Sequence, residues 1–240
     1  MEIDSTLEYV KYKGRNFEVK NGELNFCLKG IEEIRDIEGL EKLNTLRKLD
    51  LSQNEIFDIK NLDSLKNLES LDLSHNYLVK IEGLNGLKNL KELDLHSNKI
   101  LEIEGFENLI NLEYLNLCYN EIIEIKGLDN LKNLTILILS GNQLFEIKGL
   151  ENLQNLVELH LHDCPLFEVP SVSELKCLQV LGLNRTKISN EESLKNIKNC
   201  KVMIKDTPIT KKIIEDYGGI LNDDGTLLNL NKIIEHLNKM

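Results

Sequence analysis

The chain has 240 residues, 41% of them hydrophobic and 29% charged, so it can bury a sizeable core and is neither disordered nor collagen-like. Leu, Ile and Asn supply 46, 25 and 28 residues while Ala and Trp are absent, a bias that is typical of repeats. The 29 basic and 40 acidic side chains give a net charge of −11, which repels phosphate and anionic lipid, so we expect neither nucleic acid nor membrane as a partner.

The N-terminal segment predicts a β-hairpin. Charges are spread through its first 17 residues, so no apolar stretch there can act as a secretory signal or membrane anchor. Residues 1–28 alternate as strands do around turns at Lys13-Gly14 and Asn21-Gly22. We expect this segment to cap the first coil with four apolar side chains: Phe17, Val19, Leu24 and Phe26.

A 22-residue repeat follows, defined by Leu49, Leu71, Leu93, Leu115, Leu137, Leu159 and Leu181. With each of these leucines at position 0, apolar residues return at positions 2, 7, 10, 13, 16 and 19. Positions 0 and 2 lie on one face of a short strand, and the later spacing of three is typical of 3-10 turns across the core. Each repeat therefore predicts one full coil, with about eight coils in residues 29–209.

Position 5 is Asn in five coils: Asn54, Asn76, Asn98, Asn120 and Asn142. A buried turn there leaves backbone N–H and C=O groups without partners, and an amide side chain can satisfy both. Cys164, Thr186 and Thr207 replace Asn in the last coils, where we expect the stack to loosen or change shape.

The C-terminal residues 210–240 predict a helical cap. Thr210 can N-cap a short helix that ends at Gly218-Gly219. A final helix presents one apolar stripe, made of Leu230, Ile233, Ile234 and Leu237. We expect the segments 1–28, 29–209 and 210–240 to form one continuous structural domain.

Units such as residues 71–84 follow the pattern L-x-L-S-x-N-x-I-x-x-I-x-G-L, with Leu78 for the first Ile. The pattern resembles the 22-residue class of leucine-rich repeats, which includes the nuclear regulatory subunit of protein phosphatase 1 and the internalins. The resemblance implies an α/β fold, a right-handed solenoid with a concave parallel β-sheet. It also implies a protein-binding scaffold with a regulatory role, for which a phosphatase or another regulated enzyme is one option as the partner. The phosphatase-binding surface itself does not carry over, because this chain has fewer repeats than the phosphatase subunit and no Trp. In composition, with 25 Lys against 4 Arg, the chain is also similar to leucine-rich repeat proteins of Asgard archaea.

The outward residues of the concave sheet flank the two strand leucines, and they are acidic in the early coils and apolar in the middle. Asp50, Asp72 and Asp94 share position 1, where they either guide a basic partner or form a solvated face. The apolar part comprises Tyr114, Ile136, Ile138 and His160, with Tyr119 at its edge. Binding energy concentrates in such clusters, so we predict a partner-binding site here. The alternative is that Ile136 and Ile138 are only strand formers tolerated on the surface.

His160 and His162 project from one strand face near Glu158 and Cys164, so a weak metal site or a nucleophile pair is conceivable there, and with it a metal-dependent hydrolase. The spacing fixes no third ligand, and Cys164 takes an inward position, so we favour a structural role and predict no metal, no cofactor and no enzyme. The five cysteines lack CxxC spacing and predict the reduced thiols of a cytoplasmic monomer. An extracellular adhesion module like the internalins is the alternative.

Overall fold

The computed structural model describes residues 8–197 and 200–239; residues 1–7, which begin the predicted hairpin cap, lie outside the described range. The strands are β1 (Tyr9–Tyr12), β2 (Arg15–Glu18), β3 (Glu23–Asn25), β4 (Lys48–Asp50), β5 (Ser70–Asp72), β6 (Glu92–Asp94), β7 (Tyr114–Asn116), β8 (Ile136–Ile138), β9 (Glu158–His160), β10 (Val180–Gly182) and β11 (Lys201–Met203). The helices are α1 (Pro208–Tyr217) and α2 (Leu230–Leu237), with 3-10 helices at Ile34–Asp36, Leu40–Lys42 and Glu191–Asn196.

The N-terminal hairpin is confirmed. β1 and β2 pair antiparallel, with Val10 opposite Phe17, and the turn residues Lys13 and Gly14 both have positive φ. β3 is not part of the hairpin, because it pairs in parallel with β4. The Phe17 ring packs on the buried Phe26, 4.6 Å between centroids, so the hairpin covers the first coil.

The main sheet has nine strands, β3 to β11, which follow one another in chain order. Each neighbouring pair is parallel, and the repeat leucines lie side by side, as Leu71 does with Leu49 and Leu93. These leucines are buried, and backbone bonds such as Leu87 N–H to the Leu84 carbonyl (3.0 Å) close the expected 3-10 turns. The predicted fold class, an α/β solenoid of about eight coils around one core, is confirmed.

The interior asparagines bond as predicted. Asn76 Nδ2 donates to the carbonyls of Leu51 and Leu73, each at 3.0 Å, and its Oδ1 accepts from Ile56 N–H at 3.0 Å. One amide therefore joins two successive coils. Where Thr186 replaces Asn, its hydroxyl donates to the local Leu183 carbonyl at 2.9 Å, yet the strand register continues through β11.

The C-terminal cap contains the two expected helices, but the predicted N-cap was wrong. Thr207, not Thr210, is the N-cap of α1, and the two threonines form a capping box around Pro208 at the first helical position. Proline is favoured there because its missing N–H has no partner in a first turn. α1 ends at Gly218 as predicted, and α2 buries Leu230, Ile233 and Leu237 against the core.

Candidate interaction surface

The strand register aligns the outward side chains of the sheet in rows. Asp50, Asp72 and Asp94 lie side by side at position 1, and the same row continues through Asn116 to Ile138 and His160. Tyr114 pairs with Ile136 in the row before the leucines. The apolar and acidic predicted residues therefore share one face, with Tyr119 beside it at the end of its strand.

A groove of about 510 Å³ crosses this face between β5 and β8. Asp72, Glu92 and Asp94 line one part of it, and Tyr114 and Ile136 line the other. Burial and the nearby Asp94 charge raise the pKa of the Tyr114 phenol, so this phenol stays protonated and can donate a hydrogen bond. The groove thus offers carboxylates and apolar surface within one site.

The acidic row also has a local structural role that the sequence analysis missed. The Oδ1 atom of each aspartate accepts from the backbone N–H two residues later, at 2.9 Å in Asp50, Asp72 and Asp94. Such Asx turns cap the strand ends and satisfy a backbone donor. Asp94 is also held by its neighbours, since its Oδ1 lies 2.7 Å from His96 Nδ1 and its Oδ2 accepts from Asn116 Nδ2 at 3.1 Å, whereas, among the described residues, the charge of Asp72 faces the groove with only the backbone N–H bonded to it.

Tyr119 stands at the rim, more than half exposed, with a left-handed backbone (φ 53°). A Cβ added to Gly141 in the next coil would lie 2.5 Å from Tyr119 Cδ1. Gly141 therefore provides the space in which the Tyr119 ring lies. The ring is held beyond the C-terminal end of β7, outside the lining of the groove, and still presents a large exposed area.

The two histidines of β9 form a directed hydrogen-bond chain. His162 Nδ1 accepts from Asn184 N–H at 3.0 Å, which assigns the proton of the neutral ring to Nε2. That Nε2 lies 3.4 Å from His160 Nδ1, and His160 Nε2 lies 3.0 Å from Glu158 Oε2. Burial, helped by His160 and Arg185, lowers the pKa of His162 to about 4, so His162 is neutral at pH 7.

This arrangement does not assemble the conceivable nucleophile pair. Cys164 Sγ points into the core and donates to the Leu139 carbonyl at 3.3 Å, and burial raises the pKa of its thiol to about 11. Within residues 8–197 and 200–239, no three His, Cys, Asp or Glu side chains are grouped as metal ligands. Gly182 gives the histidine rings their space, since an added Cβ would lie 2.5 Å from His162.

A larger groove of about 840 Å³ runs along the residues that precede the successive strands β3 to β8. Amide groups line it, and they already serve the fold: Asn67, Asn89, Asn111 and Asn133 each donate from Nδ2 to a backbone carbonyl 23 residues earlier, at 2.7 to 2.9 Å. This second asparagine ladder was not recognised in the sequence, although its 22-residue spacing is visible there. Because the lining of this groove is polar and one N–H of each amide is already committed to the ladder, we regard the smaller groove, which also offers apolar anchors, as the better candidate site.

An exposed apolar row at position 8, one residue after a buried one, was also not predicted from the sequence. We call it the position-8 band, and it consists of Phe57, Val79, Leu101, Ile123, Phe145 and Phe167. The signal was a large apolar residue at one fixed position in six consecutive repeats. Whether the position-8 side chains are exposed depends on the course of the backbone within each coil, which the hydrogen-bonded turns of the structure define.

Comparison with known proteins agrees with this geometry. Residues 66–108 match the family described as "Leucine Rich repeats (2 copies)", and residues 101–144 match "Leucine rich repeat". The crystal structure of internalin C2 from Listeria monocytogenes is similar, with a TM-score of 0.68 and 32% identity over 77% of this chain and 80% of that one. The chain belongs to the leucine-rich repeat family.

Two further structures resemble this leucine-rich repeat protein. An internalin from L. monocytogenes, InlF, has a TM-score of 0.64 and 23% identity over 77% of this chain and 61% of that one, a likeness of fold alone. A leucine-rich repeat protein of Leptospira interrogans has a TM-score of 0.60 and 28% identity over 74% and 53%. Curated protein sequences yield no match. None of the helices described here has the length and apolar character required to span a membrane.

Proposed function

We propose that this leucine-rich repeat protein is a non-catalytic scaffold that holds a partner protein on its concave sheet. The observation that carries the proposal is the groove in which Asp72, Glu92 and Asp94 meet Tyr114 and Ile136. Solenoids of this kind use their extended concave surfaces for binding. A sheet of nine strands, about 4.8 Å apart, is long enough for one partner's face of a standard interface.

The groove supports a partner segment that places Lys or Arg beside an apolar side chain. Tyr114, Ile136 and Ile138 would be the anchors, because aromatic and aliphatic groups that become fully desolvated carry most binding energy. The carboxylates would steer the basic group, since opposite charges raise the rate of association more than the final affinity. His160 and Tyr119 would border the buried centre of the interface.

The test compares partner binding by the wild type, the Tyr114→Glu, Ile138→Glu double variant and an Ile110→Glu control. Ile110 is an exposed isoleucine outside this face, so the control introduces the same chemistry elsewhere. Partners are captured from source cells, identified, purified and titrated by calorimetry. We expect the double variant to bind at least about 100-fold more weakly, roughly 3 kcal/mol, while the control is unchanged. Equal binding by all three proteins would reject the concave site.

A further substitution separates charge from structure. Asp72→Asn keeps the oxygen that accepts the Asx-turn hydrogen bond from Ser74 N–H, as Asn116 does in the same row at 3.1 Å to Cys118 N–H, but removes the charge. We expect a slower association rate, a weaker salt dependence and an unchanged unfolding midpoint. An unchanged association rate would leave the acidic row with only its capping role.

A second candidate is an extracellular adhesion module, and the likeness to internalin C2 favours it. The two functions differ in where the protein meets its partner. Protease treatment of intact source cells, with detection by antibody, distinguishes them. The regulatory scaffold predicts that the protein survives until the cells are lysed, whereas the adhesion module predicts cleavage on intact cells. A partner enzyme such as a phosphatase would fit only the first outcome.

A further inference from the structure

The position-8 band is a second surface, separate from the concave groove. Its six side chains are between 41% and 60% exposed, whereas the residues just before them at position 7, such as Ile56 and Ile122, are fully buried. Scattered exposed apolar residues need no explanation, but six in one row form a contiguous patch. The Phe57 ring stacks on Tyr77 from the next coil, with centroids 5.5 Å apart, so an aromatic neighbour widens the band at its first coil.

The fold does not require apolar residues at this position. The first coil has Glu32 at the equivalent place, and the coil after Phe167 has Ser189, both exposed. Both coils keep their buried neighbours, Ile31 and Ile188. The band therefore begins and ends inside the solenoid, which indicates a property of six particular coils and not of the repeat.

The dimensions of the band fit an α-helix better than a strand. Coils repeat about every 4.8 Å, so six coils span roughly 25 Å, the length of a helix of about 17 residues. The helix pitch of about 5.4 Å is close to the coil spacing, so successive turns can meet successive band residues. An extended strand shows one face every ~6.7 Å and would lose register within a few coils.

The charges beside the band indicate what flanks that helix. Position 9 carries a carboxylate in five of the six coils: Asp58, Glu102, Glu124, Glu146 and Glu168, with Lys80 in the remaining coil. Lys60, Lys126 and Lys148 pair with three of these carboxylates. Exposed pairs of this kind are weak because solvent screens them, so a competing cation can replace them. A second copy of this chain, with its own net charge of −11, is repelled, as is an anionic membrane.

We infer that the position-8 band docks an amphipathic helix of a partner protein, with an apolar stripe on the band and Lys or Arg facing the position-9 carboxylates. Helices recognised in this way present anchors three and four residues apart along one face. The inference is independent of the concave site. The solenoid would then hold two different segments on two different surfaces.

The test uses two synthetic 18-residue helical peptides with the same leucine stripe, flanked by Lys in one and by Glu in the other. Fluorescence anisotropy measures their binding to the full chain. The band variant is Ile123→Ser with Phe145→Ser, and the matched control, Ile110→Ser with Ile220→Ser, removes two exposed apolar side chains outside both the band and the concave face. Circular dichroism checks that both variants fold, which we expect because every substituted side chain is at least partly exposed.

We expect the Lys-flanked peptide to bind the wild type and the control variant equally and the band variant at least ten-fold more weakly, while the Glu-flanked peptide does not bind. Equal binding of the two peptides would overturn the role of the position-9 carboxylates, and unchanged peptide binding by the band variant would overturn the site. Sedimentation equilibrium of the free chain tests the remaining occupant. A dimer that the band variant abolishes would show that a second copy covers the band, which also overturns the inference.

Discussion

The buried amide at position 5 provides a direct test of how the coils hold together, and Asn98 is the central case. Its Nδ2 donates to the carbonyls of Leu73 and Leu95 at 3.0 Å, and its Oδ1 accepts from Leu78 N–H at 3.0 Å. Asn98→Ala leaves the Leu78 N–H buried without its acceptor, whereas the Leu73 and Leu95 carbonyls each lose one bond but still accept from Asn76 and Asn120. The buried N–H costs about 1–3 kcal/mol and each lost carbonyl bond about 0.5–1 kcal/mol, so we expect a loss of about 2–4 kcal/mol in the free energy of unfolding.

A matched control is Asn89→Ala, because Asn89 belongs to the exposed asparagine ladder and donates a single bond, 2.9 Å to the Lys66 carbonyl. Water can replace that bond, so the expected loss is below about 1 kcal/mol. A third variant, Asn98→Thr, copies the residue at Thr186 and keeps a bond to the local carbonyl. We expect it to lose about 2 kcal/mol, between the two alanine variants.

Urea unfolding followed by circular dichroism gives the three free energies, and hydrogen exchange of Leu78 N–H locates the defect. Since each coil contacts only its neighbours, exchange should rise first in the coils that Asn98 joins. The reasoning would be refuted by a loss below about 1 kcal/mol for Asn98→Ala, or by a loss equal to that of Asn89→Ala.

Three other outcomes follow from single residues. Folding lowers the pKa of His162 from about 6.5 to about 4, so the neutral ring contributes about 1–2 kcal/mol, after solvent screening, to the free energy of unfolding above pH 6.5, and this contribution is lost as the pH falls towards 4. The variant His162→Asn keeps an acceptor for the Asn184 N–H, so its urea unfolding midpoint should depend less on pH than that of the wild type. Identical pH profiles of the two proteins would contradict this. Cys177, the exposed thiol, should react first with iodoacetamide in peptide mapping, ahead of the thiols whose pKa burial raises to about 11, and simultaneous labelling would argue against the packing. Gly83→Ala should lower the free energy of unfolding, measured in urea, by more than about 3 kcal/mol, and Gly14→Ala by about 1 kcal/mol. Both glycines have φ of +75°, but only at Gly83 would the added Cβ meet a backbone oxygen, at 1.9 Å. Equal losses in the two variants would show that φ alone matters.

The repeat made most of the fold predictable. A 22-residue period without slips fixes which side chains share a row, and the register of Leu49, Leu71 and Leu93 follows from it. The N-cap of α1 was misplaced because two threonines three residues apart can both accept, and Pro208 at the first helical position was the overlooked signal. Local chemistry of this kind is readable in a sequence when all positions of a motif are weighed together.

The surfaces were only partly predictable. The concave rows follow from strand alternation, because Tyr114 and Ile138 must point away from the buried Leu115 and Leu137. The position-8 band was not predicted, because its repeat spacing is also typical of buried residues. A row that recurs with the repeat is usually core, and position 8 directly follows the buried position 7, so periodicity alone cannot separate an exposed row from a buried one. The backbone geometry of the coil decides whether the row is exposed or buried.

The later coils show how the position-1 row can lose its capping role and become available for binding. In early coils the position-1 aspartate caps the position-3 N–H of its own coil, as Asp94 does for His96. In the coils where position 1 is His160 or Gly182, a position-3 side chain from the preceding coil takes over. Ser140 Oγ accepts from His162 N–H at 3.1 Å, and His162 Nδ1 accepts from Asn184 N–H at 3.0 Å.

This transfer has a consequence for the proposed site. Once position 3 supplies the cap, position 1 no longer needs a short acceptor and can carry a ring such as that of His160. The half-buried His162 then has a structural reason to be neutral, since its Nδ1 must stay an acceptor for Asn184 N–H. The His160 ring beside it, in the same row as Ile138, is also partly buried, but its nitrogens lie near the side chains of His162 and Glu158, which can move when a partner binds. That difference assigns His162 to the fold and leaves His160 available to the partner.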